Sequence, residues 1–140
     1  MNDLYQEFLQ RLEKSNDESR HKASDKRHQK GYRTARENLN DLVDKDSFLE
    51  FGQFAVAAQR SRRDYEELQE NTNADGIITG FCSINADIVG KENADAAAII
   101  YDYSVLAGTQ GYFHHQKLDR IIEKAKKFVL PIIIFTEGGG

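Results

Sequence analysis

The 140-residue chain has one cysteine, one proline and no tryptophan. The single cysteine, Cys82, excludes an internal disulfide and suits a reducing compartment. No apolar run approaches the ~20 residues that a membrane-spanning helix needs. Residues 1–10 are mixed polar and acidic, which is not the pattern of a signal peptide. We therefore predict a cytoplasmic protein that has no membrane partner.

An excess of positive charge is also lacking. The chain carries 19 Lys and Arg against 23 Asp and Glu, a net charge of −4. The basic cluster from Arg20 to Arg27 is short and interleaved with Asp and Ser residues. We therefore expect no nucleic-acid partner. The hydrophobic content of 39% fits one modest domain.

The first half of the chain is charged and mostly helical in pattern. Residues 3–15 and 34–43 have apolar side chains at helical spacing, and 48–51 predict a short strand. Residues 15–30 are almost wholly polar and predict either a solvated helix extension or a loose linker. Residues 54–68 predict a helix with a basic shoulder made of Arg60, Arg62 and Arg63.

The second half of the chain is apolar and indicates an α/β sheet. Strands are predicted over 77–84 and 96–105, a helix over 113–128, and a last strand after Pro131. Strands this apolar are typical of a sheet that helices cover. The intervening helix predicts a crossover that makes the last two strands parallel.

Glycine-containing turns follow both of these strands, at 107–111 and at 138–140. Because glycine has no Cβ, its backbone amide can approach a ligand closely. Parallel strands would place both turns at one edge of the sheet, where amides could converge on an oxygen and stabilise a thioester enolate. Spacing alone leaves open the alternative that each glycine only satisfies its turn.

Several short motifs follow one another in an order that resembles a known family. They are Thr34-Ala35-Arg36-Glu37-Asn38-Leu39, Leu42-Val43-Asp44, Ser47-Phe48-Leu49-Glu50, Asp75-Gly76-Ile77-Ile78-Thr79-Gly80, Tyr103 to Gly111, His114 to Leu118, and Pro131 to Gly140. Together they resemble the biotin-dependent acyl-CoA carboxyltransferases. Asn38 stands where that family typically has arginine, and Ala107 and Thr109 stand where glycine and serine are usual.

The resemblance implies a crotonase-like (ClpP/crotonase) α/β fold built as a β-β-α spiral. Residues 34–140 would form the N-terminal part of that carboxyltransferase domain, and residues 1–33 a helical, highly charged leader. The implied activity moves a carboxyl group from carboxybiotin to the α-carbon of an acetyl-CoA or propionyl-CoA type substrate, as in fatty acid biosynthesis. The implied partners are a biotinyl carrier domain, biotin carboxylase and further copies of the chain, with biotin bound on a partner domain.

By position in the motifs, the backbone amides of Gly138, Gly139 and Gly140 would form the oxyanion hole. Ala107, Gly108 and Thr109 would line the CoA side of the pocket. Lys117 lies on the predicted outward face of its helix and would meet CoA phosphates, unless that face is only solvated. We expect these 140 residues to be inactive alone, because the biotin half of the site is missing.

Other candidates fit this chemistry less well. His114 and His115 are adjacent, so a helix points their rings about 100° apart, and no metal site is expected. Cys82 lies in an apolar strand and is predicted to be a core residue. Two other functions stay open: a carboxyacyl-CoA decarboxylase-type carboxyltransferase and a catalytically silent interaction module.

Overall fold

Four strands and six α-helices make up the part of the chain that the computed structural model describes, residues 3–138. The strands are β1 (Leu49–Phe51), β2 (Ile77–Ser83), β3 (Asp95–Tyr101) and β4 (Ile132–Phe135). The helices are α1 (Asp3–Lys14), α2 (His21–His28), α3 (Ala35–Leu42), α4 (Tyr65–Asn71), α5 (Ala86–Val89) and α6 (Tyr112–Phe128). Within these residues, no helix has the length and apolar character that crossing a bilayer requires.

The strands form one sheet in the order β1-β2-β3-β4. The β1–β2 and β2–β3 pairs are antiparallel. The β3–β4 pair is parallel, with Ala97 opposite Ile132 and Ile100 opposite Phe135. Helix α6 connects these two strands, so the predicted crossover and its parallel pair are confirmed. The carboxyl ends of β3 and β4 therefore lie at the same end of the sheet.

Each face of the sheet has its own core because side chains alternate along a strand. On one face, Ile78, Cys82 and Ile100 pack with residues of α3. On the other face, Ile77 and Ile99 pack with residues of α6. The prediction of a sheet covered by helices is confirmed, and so is the core position of Cys82. Burial raises the pKa of the Cys82 thiol to about 11, so it is no nucleophile at neutral pH.

Two elements differ from the prediction. Residues 54–64 are irregular, and the helix predicted over 54–68 exists only as α4. Its apolar residues are consecutive rather than spaced at helical intervals, and Val56 and Ala57 pack against Leu68 instead. The strand predicted over 96–105 ends at Tyr101, because the Asp102 carboxylate accepts a hydrogen bond from the Ser104 amide and turns the chain.

The polar segment 15–30 is ordered rather than a loose linker. It forms a short 3₁₀ turn, Asp17–Ser19, followed by α2. Gln53 donates a hydrogen bond of 2.6 Å to the Ser15 hydroxyl, and Arg11 donates one of 3.0 Å to the Phe54 carbonyl. These contacts join the predicted leader to the sheet-bearing part of the chain.

Candidate functional site

Two glycines from distant parts of the chain meet beyond the carboxyl ends of β3 and β4. A Cβ on Gly108 would lie 2.1 Å from the carbonyl oxygen of Glu137 and 2.7 Å from the Cα of Gly138. No side chain of any size fits there without moving the backbone. We call Ala107, Gly108 and Gly138 the strand-end site. The predicted approach of the two turns is confirmed for these residues, whereas Gly139 and Gly140 lie outside the described residues.

The turn that carries Gly108 has an unusual backbone. Leu106, Ala107 and Gly108 have consecutive positive φ angles of 48°, 54° and 71°. Such a run is costly for residues that have a Cβ, at about 1–2 kcal/mol each. Hydrogen bonds hold it closed: the Gly108 amide donates to the Val105 carbonyl at 3.0 Å and the Thr109 amide to the Leu106 carbonyl at 3.1 Å. Backbone strain of this kind concentrates at functional sites.

These hydrogen bonds decide which amides a ligand can use. The Gly108 amide is occupied by Val105, so it is no free donor. Within residues 3–138, the amides of Ala107 and Gly138 have no hydrogen-bond acceptor. Thr109 follows the turn and is exposed. Two amides, one from each strand end, are thus left without an acceptor in the part of the chain that the structure describes.

Two arginines, Arg20 directly before α2 and Arg27 within it, bind residues that follow β3 and β4. Arg27 forms two hydrogen bonds to the Glu137 carboxylate, at 2.6 and 2.7 Å. Arg20 pairs with Asp102 at 3.0 Å. Both guanidinium groups are largely buried. Glu137 thus supports its loop through Arg27.

An open cleft of about 1370 Å³ lies between α2 and the strand-end site. Ala107 and Glu137 line it at one end. Its wall is strongly basic, with Lys14, Arg20, His21, Lys22, Lys26, Arg27 and Lys30 among the lining residues. From the sequence, residues 15–30 were predicted to be a solvated helix extension or a loose linker. Only the fold shows that these basic residues share one cleft with Ala107, which lies 77 to 93 residues further along the chain.

Lys117 is buried, so the predicted outward position of its side chain is wrong. Its ammonium donates to the Ala74 carbonyl at 2.7 Å and also to the Ile77 carbonyl. Gly52 makes room for it, since a Cβ there would lie 2.9 Å from Lys117 Cε. Lys117 does not line the cleft, so its ammonium is not placed to bind a CoA phosphate there.

The N-terminus of α6 is fixed by Asp75. Its carboxylate accepts a hydrogen bond of 2.9 Å from the His114 amide, which suits the positive end of a helix dipole. The His114 ring is fully buried against Tyr101, with ring centroids 4.7 Å apart. Burial lowers the pKa of His114, so the ring is neutral at pH 7. The exposed His115 ring does not share this environment.

The sequence of the chain is similar to that of one protein family. The sequence profile described as the carboxyl transferase domain matches residues 26–140. The acetyl-coenzyme A carboxylase carboxyl transferase subunit beta of Prochlorococcus marinus (strain MIT 9515) is 36% identical over 113 residues, covering 74% of this chain and 36% of the relative. The propionyl-CoA carboxylase beta chain of Roseobacter denitrificans is 29% identical over 119 residues, covering 85% and 21%. The chain thus spans between 21% and 36% of the length of these curated relatives.

Solved structures agree on the fold. A structure titled as a single-chain, multi-domain long-chain acyl-CoA carboxylase has a TM-score of 0.96 at 48% identity, covering 100% of this chain and 14% of that one. Transcarboxylase 12S with hydrolysed methylmalonyl-coenzyme A bound has a TM-score of 0.74 at 28% identity, covering 98% and 24%. The predicted crotonase-like α/β class is confirmed by these matches. The converging strand ends, the glycine contact and the profile match lead to one assignment: the chain belongs to the carboxyl transferase domain family.

Proposed function

We propose that this chain binds the thioester of an acyl-CoA and stabilises its enolate during biotin-dependent carboxyl transfer. The observation that carries the proposal is the contact between Gly108 and Gly138. That contact brings the amides of Ala107 and Gly138, which have no acceptor between residues 3 and 138, to the same end of the sheet. The names of the relatives, which are acyl-CoA carboxylases and their subunits, support the same reaction class.

The dipoles of backbone amides can stabilise an enolate. Loss of a proton from the α-carbon places negative charge on the thioester oxygen, and fixed amides that point at this oxygen lower the barrier. Carboxybiotin, bound on a partner domain, would supply the carboxyl group, and the biotin nitrogen that gives it up would take the proton from the α-carbon. In this chain, the amides of Ala107 and Gly138 would hold the oxygen, and the rigid turn would orient the α-carbon. The Glu137 carboxylate is occupied by Arg27, so we assign it no proton-transfer role.

The substrate and partners follow from the same family membership. We propose an acyl-CoA of the acetyl-CoA or propionyl-CoA type as the carboxyl acceptor. Biotin carboxylase, a biotinyl carrier domain and further copies of the chain would complete the assembly, in the cytoplasm. Ala107, Gly108 and Thr109 would line the CoA side of the site.

Replacing Gly108 with alanine tests the proposed site. The new Cβ would collide with the Glu137 carbonyl and push the Gly138 loop away. We expect kcat to fall by about 10²–10³-fold, the effect of losing one oxyanion-hole donor. The assay uses the natural polypeptide that contains these residues, assembled with its biotin partners. It measures carboxylation of acetyl-CoA, propionyl-CoA and a long-chain acyl-CoA, together with the reverse reaction.

Gly31→Ala is the matched control. Gly31 also has a positive φ, of 76°, but no atom lies within 4 Å of its Cβ position. The Gly31→Ala substitution therefore introduces the same backbone strain without a collision between the new Cβ and the backbone. We expect its kcat to stay close to that of the wild type. A Gly108→Ala enzyme that folds and keeps its kcat would show that this contact does not build the site.

A further inference from the structure

Three lysines form a row along one wall of the cleft. Lys22 and Lys26 lie one turn apart on α2, and Lys30 follows at the same spacing in the turn after the helix. We call these three residues the lysine row. All three are exposed, and none forms an ion pair with any residue between 3 and 138. Their charges are therefore available to a ligand.

The carboxylates of the cleft do not neutralise this row. The acidic lining residues are Glu70 and Glu137, and Arg27 holds the second of them. Lys14 adds a further cation to the same lining. A cleft walled by one sign of charge concentrates ligands of the opposite sign. The local excess of positive charge stands out in a chain whose net charge is −4.

The cleft connects the lysine row to the strand-end site. Lys22, Lys26 and Lys30 line one part of it, and Ala107 lines another. Its volume of about 1370 Å³ exceeds the roughly 300–1,000 Å³ of pockets that bind drug-sized ligands. A ligand with a thioester at one end and several phosphates at the other would match both parts of the cleft. Acyl-CoA has this chemistry.

We propose that the lysine row binds the phosphate groups at the nucleotide end of the acyl-CoA substrate. This inference rests on the proposed function and assigns the phosphate contacts to α2 and the turn after it. The lysine row takes the role that the sequence suggested for Lys117, because the Lys117 ammonium is buried against two carbonyls. Lysine ammonium groups suit this role because they act as mobile point charges for phosphate.

The test compares two double variants of the natural polypeptide, assembled with its partners. Lys22→Gln/Lys26→Gln removes two charges of the row and keeps good helix formers. Lys91→Gln/Lys126→Gln removes the same charge from two exposed lysines that do not line the cleft. Each enzyme is assayed with acyl-CoA and with the matching acyl-pantetheine thioester, which has no phosphate. Calorimetry measures the binding of free CoA without any reaction.

We expect the Lys22→Gln/Lys26→Gln change to raise KM for acyl-CoA and Kd for CoA by about three- to tenfold, as exposed ion pairs would. The ratio of KM for acyl-CoA to KM for acyl-pantetheine should rise by the same factor. The increase should shrink at about 0.5 M salt, where exposed charges are screened. The Lys91→Gln/Lys126→Gln enzyme should match the wild type throughout. Lys22→Arg/Lys26→Arg, which keeps the charge, should restore most of the affinity.

Several results would overturn the proposal. An unchanged Kd for CoA would do so, as would an equal rise in KM for the phosphate-free thioester. A rise in KM for the biotinyl carrier alone would make the row a protein-docking surface, and weaker binding of an RNA oligonucleotide alone would make it a nucleic-acid surface. If the double variant does not fold, the single changes Lys22→Gln and Lys26→Gln provide the same comparison. Failure of the Gly108→Ala test leaves these binding results intact, so the two proposals can fail separately.

Discussion

A buried lysine supports the loop beneath the strand-end site. The Lys117 ammonium binds the carbonyls of Ala74 and Ile77, on either side of a turn in which Ala74 and Asp75 have positive φ angles. That turn contacts the segment that directly follows β3, since the Asp102 amide donates to the Gly76 carbonyl at 2.8 Å. Burial lowers the pKa of Lys117 to about 7, and the opposing charge of Glu50 raises it only in part. The lysine therefore stabilises a strained loop at an electrostatic cost.

This cost makes stability depend on pH. In the unfolded chain the lysine titrates near 10.4, so between about pH 7 and 10.4 the unfolded state binds more protons than the folded state. The contribution of Lys117 to the free energy of unfolding should therefore rise with pH across this window and stay constant below it. Lys117→Met should remove that rise. Denaturant unfolding of both proteins at pH 6, 7.5 and 9 measures the difference.

Lys126→Met is the control for this measurement, because Lys126 is an exposed lysine on the same helix. Its unfolding free energy should follow the pH dependence of the wild type. Parallel pH curves for the wild type and Lys117→Met would mean that the buried ammonium keeps an ordinary pKa.

At the scale of elements, α2 connects the leader to the strand ends. Arg20 and Arg27 reach Asp102 and Glu137, which are 82 and 110 residues away in sequence. The Arg27 guanidinium also donates to the Arg33 carbonyl at 2.8 and 3.0 Å. Because Glu137 directly precedes Gly138, Arg27 fixes the position of the second amide of the site. Arg27 is thus a positioning residue.

Arg27→Met should lower kcat by about tenfold and change KM for acyl-CoA less, because the loop loses its position rather than a ligand contact. Arg27→Lys should recover part of the activity, since lysine keeps the charge but lacks the two-pronged geometry. Steady-state kinetics of the assembled enzyme measure both effects. A rise in KM at constant kcat would instead indicate that Arg27 contacts the substrate.

Arg63→Met is the matched control for the loss of an arginine ion pair. Arg63 pairs with Glu67 at 2.7 Å on the exposed surface. Such surface pairs contribute at most about 1 kcal/mol, so kcat and KM should stay near wild type.

At the scale of the molecule, one of the two outer strands of the sheet, β4, is apolar and exposed. Among the strands that the structure describes, β4 pairs with β3 alone, and Ile132, Ile134 and Phe135 are exposed on it. Phe128 and Val129, just before this strand, are exposed as well. An apolar edge strand of this kind pairs readily with another chain. We therefore expect the 140-residue chain to self-associate in solution.

Ile134→Lys should shift this association toward the monomer, because a charge on the edge strand opposes pairing. Light scattering coupled to gel filtration measures the mass at several concentrations. Ile88→Lys places the same charge on an equally apolar, exposed side chain of α5 and should leave the mass unchanged. A wild-type chain that stays monomeric at all concentrations would contradict the expectation.

Local patterns in the sequence determined most of the elements. Apolar spacing predicted α1, α3 and α6, and apolar runs predicted all four strands. A helix between two apolar strands was enough to predict the parallel pair and to place the two glycine turns together. These features depend on near neighbours in the chain, which is why sequence reasoning finds them.

The tertiary structure alone decided how the charges are used. Lys117 and Arg27 both look like solvated cations in sequence, yet one is buried where Gly52 leaves room and the other pairs with Glu137. A charge or an amide is free or occupied according to what the fold brings within a few ångströms of it. The partners of Lys117 and Arg27 lie 40 to 110 residues away, and such distant partners leave no periodic signal in the sequence.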